Sequence, residues 1–166
     1  YRLRLVNAEY PAPVSGELIA EAKALARRLG LLSAIEFHTD FLPDDESLRL
    51  LSSADLIAYT YQNTAESASG AVRYGIATGK PVAVTPLSIF DDVSNAVFQL
   101  PGVSPLEIAA GLSAIRASIG AGDERFRNTM NEARRWRHAH SYPAIGRRLA
   151  GILKALHQEK FHGTHQ

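Results

Sequence analysis

Hydrophobic and polar residues are distributed along the chain in two alternating patterns. Short apolar runs of strand length are followed by segments in which apolar residues recur at intervals of three and four, as on a helix packed along one side. The predicted strands span residues 3–7, 35–39, 56–60, 81–84 and 96–100, and the predicted helices span residues 15–30, 44–51, 67–79, 104–119, 123–139 and 142–157. Strands that alternate with helices indicate an α/β protein with a parallel, doubly wound sheet, here followed by C-terminal helices.

The ends of three predicted helices carry specific local signals. Ser15 is predicted to be the N-cap of the first helix, and Gly30 is predicted to end it. Gly79 ends the helix after the third strand, because glycine is favoured just beyond a helix C-terminus. Ser104 followed by Pro105 predicts a helix start, since proline suits the first turn of a helix.

The composition is that of an ordinary globular protein, with 46% hydrophobic and 21% charged residues. No run approaches the roughly 18 apolar residues of a membrane span, and no signal peptide is visible, so we expect a cytoplasmic protein. The lack of cysteine excludes disulfides and thiolate metal sites. We expect one domain over residues 1–158 and a disordered tail over residues 159–166. Because the chain begins with Tyr1, we expect it to be a piece of a longer protein.

The charge is unevenly distributed. Residues 1–120 hold 9 Lys and Arg against 13 Asp and Glu, which gives −4, whereas residues 121–166 hold 9 against 4, which gives +5. Two interpretations are open: a solvated face on the final helices, or attraction to anionic lipid at the inner face of the membrane or to a phosphorylated acceptor. Aromatic residues are too sparse among the basic ones to indicate nucleic-acid binding.

Candidate chemistry concentrates in residues 55–85, which are predicted to form strand, polar loop, helix, tight turn and strand. The helix entrance consists of small residues, Ser67, Ala68, Ser69 and Gly70. Open α/β sheets bind ligands where a helix begins at the carboxyl end of a strand, and the helix N–H groups and dipole favour phosphate there. This segment is therefore the predicted anion-binding element.

The same segment resembles the donor-binding core of the group-1 (family 4) retaining glycosyltransferases of GT-B fold. In that family, Glu, seven residues, a second Glu and Ala-x-Ala-x-Gly-x-Pro precede a valine-rich strand. Glu66 matches the first acid, while Tyr74 stands where the second acid belongs. The tail of the motif matches at Ala77, Gly79, Pro81 and Val82. The resemblance covers roughly residues 2–157 and implies a Rossmann-like, nucleotide-sugar-binding domain.

The resemblance implies a nucleotide-diphospho-sugar as donor substrate, a glycan or lipid-linked acceptor, and neither a cofactor nor a metal. It also implies that Glu66 is the catalytic candidate, held near the transferred sugar, whereas the family's ribose contact by the second acid cannot be carried over to Tyr74. We expect that the fragment lacks the family's first strand, its Gly-Arg…Lys loop and its N-terminal acceptor domain. We therefore expect the fragment alone to be inactive.

Further donor-binding candidates each have a second interpretation. Ser67, Ser69 and Gly70 either cap the helix or let phosphate approach its N–H groups. Arg73 either binds a phosphate or the ribose edge, or forms a surface ion pair. Tyr74 either replaces the ribose contact with its hydroxyl or packs against the next helix.

The ends of two predicted strands supply the remaining candidates. Tyr61 and Gln62 are predicted to contact the sugar or the acceptor, whereas Tyr59 is by default a core residue. His38 and Thr39 end the strand beside which the nucleobase lies in the resembled family, although a lone histidine is more often structural.

Other kinds of site have less support. The acidic pair at residues 91–92 could act as acid and base or could cap the segment that follows. The five remaining histidines form no zinc motif, and a Gly-x-Ser-x-Gly elbow, a Walker loop and a Gly-x-Gly-x-x-Gly fingerprint are absent. Two other classes of function stay open: a nucleotide-sugar epimerase of the same architecture, and a non-catalytic nucleotide-binding or interaction module.

Overall fold

The structure is a computed structural model that describes residues 1–11 and 13–162, without the side chains of residues 159–162. It forms two compact units, Tyr1–Ser47 and Leu48–Gln166. Each unit is described by itself. No helix in the described part of the chain could cross a bilayer.

The first unit contains a two-stranded parallel sheet and one long helix. Strand β1 (Leu3–Val6) pairs in parallel with β2 (Ile35–His38), and helix α1 (Pro13–Arg28) and the short 3₁₀ helix Leu32–Ala34 connect them. The unit ends within α2 (Asp44–Ser52), whose first turn carries three acidic residues as predicted. The glycine after α1, Gly30, has a φ of 69°, which confirms the predicted helix end.

The prediction that Ser15 is the N-cap of α1 is wrong. The helix begins at Pro13, because the fixed φ of proline suits the first helical position. The Ser15 hydroxyl instead accepts a hydrogen bond from the Tyr10 N–H (3.1 Å), so it holds the preceding loop.

The described part of the second unit contains a three-stranded parallel sheet in the order β3-β4-β5, four complete α-helices and one 3₁₀ helix. Its elements are β3 (Ile57–Tyr59), α3 (Gly70–Ala77), β4 (Val82–Val84), the 3₁₀ helix Ser88–Ala96, β5 (Phe98–Gln99), α4 (Pro105–Ala121), α5 (Glu124–Ala139) and α6 (Tyr142–His162). Every strand pair in both units is parallel, so the predicted parallel α/β architecture is confirmed.

Strand β4 is buried on both faces. Val82 and Val84 pack with Val72 and Ile76 of α3 and with the 3₁₀ helix Ser88–Ala96. Ala83 points to the opposite face and packs with residues that include Phe98, Leu100 and Ile115. Helices therefore cover both faces of this sheet, as a doubly wound arrangement requires.

The structure refines several predicted boundaries. Helix α3 begins at Gly70, three residues later than predicted. Helix α4 continues to Ala121, two residues beyond the predicted end, and ends at Gly122, whose φ is 57°. Strand β5 is short because the 3₁₀ helix Ser88–Ala96, which was not predicted, occupies the residues before it. The predicted disordered tail begins inside α6, which extends to His162, and residues 163–166 lie outside the described part.

Local capping chemistry explains the start of α4. The Ser104 hydroxyl accepts from the Glu107 N–H, and the Glu107 carboxylate accepts from the Ser104 N–H (3.0 Å), which completes a capping box. The Ser104 hydroxyl also donates to the Glu107 carboxylate (2.6 Å), and this bond, together with that from the Ser104 N–H, holds the pKa of Glu107 below its usual value. The predicted helix start at Ser104 and Pro105 is confirmed.

We expect Gly75→Ala to destabilise the protein. A Cβ added at Gly75 would lie 3.0 Å from the ring and the hydroxyl of Tyr59 and 3.3 Å from Val82 Cγ2, so the core must shift. The expected loss is about 1–3 kcal/mol, measured by urea unfolding followed by circular dichroism. Gly120→Ala is the matched control, because it lies inside α4 with nothing within 4 Å, and it should gain roughly 0.5–1 kcal/mol. Equal stabilities of the two variants would contradict this packing.

We expect Asp123→Asn to weaken the acid dependence of stability. The Asp123 carboxylate accepts hydrogen bonds from the Ser118 hydroxyl (2.6 Å) and the Phe126 N–H (2.9 Å), which lower the pKa of Asp123. A lowered folded-state pKa stabilises the protein above the unfolded pKa, and this contribution is lost as the pH falls below about 4. Urea midpoints measured across this range should therefore fall less steeply for the variant than for the natural chain, and parallel profiles would contradict the assignment.

Candidate functional site

The candidate site lies where β3 and β4 end and the chain enters α3. Thr85, which directly follows β4, is fully buried, and its hydroxyl donates to the Tyr61 carbonyl (2.6 Å). The Thr85 N–H donates to the Tyr59 carbonyl (3.2 Å). These two hydrogen bonds fix the start of the loop that leads from β3 to α3.

Ser69 caps the N-terminus of α3. Its side chain is 1% exposed, and its hydroxyl oxygen accepts from the Val72 N–H at 3.3 Å. The Tyr61 hydroxyl lies 3.4 Å from the same oxygen. Of the two interpretations of Ser69, capping is therefore the one observed, and its buried hydroxyl is engaged within the protein.

Gly70, the first residue of α3, leaves the start of the helix open. It is exposed, and a Cβ added there would have no heavy atom within 4 Å. Among the described residues, no acceptor outside the helix bonds the N–H of Gly70 or Ala71. Two unpaired N–H groups at the positive end of a helix dipole are suited to bind an anion.

Arg73 forms an ion pair at the surface, which was one of the two roles predicted for it. Its Nη1 donates to the Ser69 carbonyl (2.6 Å), and its Nη2 contacts the Asp92 carboxylate. The two side chains are 34% and 48% exposed, so water screens the pair. Asp92 therefore binds Arg73, and both acidic residues lie inside the 3₁₀ helix Ser88–Ala96 rather than ahead of a separate segment.

Glu66 lies outside the helix, in the loop before it. It is exposed, four residues ahead of Gly70, and its backbone N–H donates to Thr64 Oγ1 (3.1 Å). The predicted helix start at residue 67 is three residues too early, because the buried cap Ser69 fixes the start at Gly70. The helix dipole acts only within the first turn, so it does not account for a carboxylate at this position. Gln62 and Ser67 are likewise exposed loop residues.

The tyrosines of the site are packed to different degrees. Tyr61 contacts Phe90 at a ring-centroid distance of 5.4 Å and the edge of Tyr59 at 6.5 Å. Tyr61 is thus half-buried at the border of the core rather than free in the loop. Burial raises the pKa of Tyr59 to about 12, which agrees with its predicted core role. Tyr74 is 39% exposed.

His38 and Thr39 belong to the first unit, where they were predicted to end the strand over residues 35–39. His38 ends β2, and its Nε2 lies 3.7 Å from Glu36 Oε2, too far for a hydrogen bond. The hydrogen bond from Arg4 holds the pKa of Glu36 below its usual range. That Nε2 atom is buried and has no hydrogen-bond partner among the described residues.

An open cavity of about 650 Å³ lies in the first unit beside the residues that follow β1 and β2. Thr39 is one of its lining residues, together with Glu9, Tyr10, Pro11, Pro13, Asp40 and Phe41. Tyr10 and Phe41 are 74% and 91% exposed, so their rings offer apolar surface to a planar ligand. Neither residue was among the predicted site residues, although each follows a predicted strand at its carboxyl end.

Comparison with known proteins gives agreement in fold. No protein-family model matches the chain, and no curated protein matches its sequence. Sucrose-phosphate synthase from Thermosynechococcus elongatus matches 95% of this chain with a TM-score of 0.69 and 16% identity. HepE from Anabaena, in complex with UDP, matches 87% with a TM-score of 0.67 and 17% identity. WaaG, a glycosyltransferase involved in lipopolysaccharide biosynthesis, matches 83% with a TM-score of 0.52 and 22% identity.

These matches cover only part of the three proteins. The chain spans 39% of the synthase, 38% of HepE and 33% of WaaG. At this level of identity the similarity concerns the fold, which is the Rossmann-like α/β fold found in GT-B glycosyltransferases.

We expect Ser69→Ala to cost about 1 kcal/mol of stability, because it removes a helix cap together with a buried contact of Tyr61. Ser67→Ala is the matched control, since Ser67 is exposed two residues earlier and should change stability by less than about 0.5 kcal/mol. Urea unfolding of both variants measures the difference. Equal losses would show that Ser69 is not the residue that fixes the start of α3.

Proposed function

We propose that this chain is the donor-binding part of a GT-B glycosyltransferase and binds a nucleotide-diphospho-sugar for transfer with retention of configuration. The observation that carries the proposal is the open start of α3 at Gly70, located at the carboxyl ends of parallel strands. The fold is shared with WaaG, a glycosyltransferase, and with HepE, whose structure is in complex with UDP, and both similarities support the same ligand class.

The diphosphate would bind at the N-terminus of α3. The N–H groups of Gly70 and Ala71 and the helix dipole would stabilise its negative charge, and the lack of a side chain at Gly70 lets the phosphate oxygens approach. Arg73 would add a cation only if the ligand competes with Asp92 for its guanidinium group. The same contacts would neutralise the leaving diphosphate during transfer, with positioning as the other source of catalysis.

Glu66 is the proposed catalytic residue. Its carboxylate lies in an exposed loop near the helix start, where it could accept hydrogen bonds from sugar hydroxyls and orient the donor. Gln62 and Ser67 are proposed to contact the sugar from the same loop. Tyr74 is proposed to replace the ribose contact of the family's second acid through its hydroxyl group, and the half-buried Tyr61 is proposed to support the loop.

Within the first unit, taken by itself, Thr39 and His38 are proposed to contact a nucleobase. Thr39 lines the open cavity beside Tyr10 and Phe41, and an aromatic ring favours stacking with a planar base. The Nε2 atom of His38 is buried beside Glu36, so a base edge could reach it only if these side chains move. We propose that the whole protein also contains an N-terminal acceptor domain. The acceptor that this domain would bind is proposed to be a glycan or a lipid-linked sugar.

A charge placed at Gly70 tests the diphosphate site. We expect Gly70→Asp to weaken UDP or GDP binding at least tenfold, because the carboxylate repels the phosphates. Gly70→Asn is the matched control of equal size and should stay within about threefold of the natural chain. An acidic residue in the first turn stabilises a helix, so the aspartate variant should unfold at an equal or higher temperature.

Titration calorimetry with UDP, GDP, uridine and guanosine measures these affinities. The proposal expects at least one nucleoside diphosphate to bind more tightly than its nucleoside. Equal affinities of the aspartate and asparagine variants, or no binding of either diphosphate to the natural chain, would contradict a diphosphate site at α3.

The presence of Tyr74 in place of the second acid favours one second candidate, a non-catalytic nucleotide-binding module. Such a module would bind the donor in the same way without transferring the sugar. The two candidates differ in turnover: the full-length protein, incubated with donor and acceptor, should release nucleoside diphosphate only if it is a transferase.

A further inference from the structure

The open cavity of the first unit is lined by two carboxylates, Glu9 and Asp40, and by no basic side chain among its described residues. Glu9 follows β1 and Asp40 follows β2. The Glu9 N–H donates to the Thr39 carbonyl (2.7 Å), which holds the two loops together. Neither carboxylate accepts a hydrogen bond or pairs with a cation in the described part of the chain. Both are therefore available as acceptors for a ligand.

The packing against α1 keeps the Glu9 carboxylate in place. A Cβ added at Gly16, in the first turn of α1, would lie 2.9 Å from Glu9 Oε1, so this carboxylate rests over the start of the helix. The positive end of a helix dipole favours a negative charge there. Glu9 thus places a negative charge beside the cavity and leaves the N-terminus of α1 unattractive to the phosphates of a ligand.

The exposed rings of Tyr10 and Phe41 favour a planar organic ligand over a metal ion. Tyr10 follows Glu9 and Phe41 follows Asp40, so each ring accompanies one of the two carboxylates. Stacking on aromatic side chains stabilises a nucleobase of any kind. A hard metal ion would use the carboxylates but would surround itself with further oxygen ligands and water, so the rings would contribute nothing to its binding.

Guanine is the nucleobase whose edge matches a carboxylate. Its N1–H and its N2 amino group are adjacent donors, and the two oxygens of one carboxylate can accept from both. Uracil has a carbonyl oxygen on each side of its N3–H, and adenine and cytosine have an unprotonated ring nitrogen beside the amino group. A carboxylate can accept only one hydrogen bond from these three edges and repels the acceptor next to it.

We propose that the base bound in the open cavity is guanine. The Asp40 carboxylate accepts from guanine N1–H and the N2 amino group, and the charge of Glu9 repels the carbonyl oxygens of uracil. The donors would then be sugars carried by GDP. This inference rests on the donor-binding function proposed above and adds the base, which that proposal leaves open. HepE is in complex with UDP, but at 17% identity its similarity concerns the fold and not base recognition.

Titration calorimetry of the natural chain with GDP, IDP and UDP measures the base preference. The three ligands share the diphosphate, and IDP, the diphosphate of inosine, lacks only the N2 amino group of GDP. A hydrogen bond to a charged acceptor changes affinity by about an order of magnitude or more. GDP should therefore bind about tenfold more tightly than IDP and at least about tenfold more tightly than UDP.

Asp40→Asn should change the preference rather than abolish binding. The side chain keeps its size but exchanges one acceptor for a donor, so it matches the adjacent N–H and carbonyl of uracil. GDP should bind at least about tenfold more weakly and UDP about threefold more tightly, a gain that a misfolded variant could not show. Glu9→Gln should also tighten UDP binding, by about threefold, because the charge that repels the uracil oxygens is removed.

Asp45→Asn is the matched control. Asp45 is an exposed acidic residue in the first turn of α2, in the same unit, and it does not line the cavity. All three affinities of this variant should stay within about twofold of those of the natural chain. Equal effects of Asp40→Asn and Asp45→Asn would overturn the proposal.

Other outcomes separate the base from the diphosphate. Equal binding of GDP, IDP and UDP, or tighter binding of UDP, would overturn the guanine proposal and leave the diphosphate site at α3 in place. If no diphosphate binds more tightly than its nucleoside, the site at α3 fails instead, and guanosine and uridine then decide the base. A preference for guanosine would support guanine recognition, and equal affinities would overturn it.

Discussion

The burial of β4 on both faces is the constraint on which the second unit depends. Val82 and Val84 face one hydrophobic cluster and Ala83 faces the other, so this strand can contain no polar side chain. The first polar side chain after it is Thr85, at the carboxyl end, still fully buried. A buried hydroxyl needs a partner, and the Tyr61 carbonyl supplies it. The core thereby fixes the loop that leads to the candidate site.

The contacts of Tyr61 also determine where α3 begins. The hydroxyl of Tyr61 lies beside that of Ser69, and the buried Ser69 caps the helix, so Gly70 becomes its first residue. Capping satisfies only the Val72 N–H and leaves the N–H groups before it open. The proposed anion site therefore follows from the packing of Tyr61 and Ser69, and it consists of backbone N–H groups rather than side chains.

Local signals were sufficient for parts of the fold and insufficient for others. Gly79 and the Ser104 cap were predicted correctly, because their conformations depend on neighbours within a few residues. The sequence offers Ser67 and Ser69 as equivalent caps of α3, and only burial against Tyr61 decides between them. The pairing of Arg73 with a carboxylate 19 residues away, and the 3₁₀ helix that carries it, depend on tertiary packing that periodicity does not encode.

The two ends of α3 are electrostatically consistent with the proposed ligand. At its C-terminus, the guanidinium group of Arg137 lies against Gly79, where an added Cβ would be 2.5 Å from Nη1. Two features thus require glycine at position 79: its φ of 76° and the close approach of Arg137. Although Arg137 Nε is buried without a hydrogen bond, the negative end of the helix dipole favours the cation. With a cation from α5 at one end, the positive end of α3 at Gly70 is the end at which we propose that the diphosphate binds.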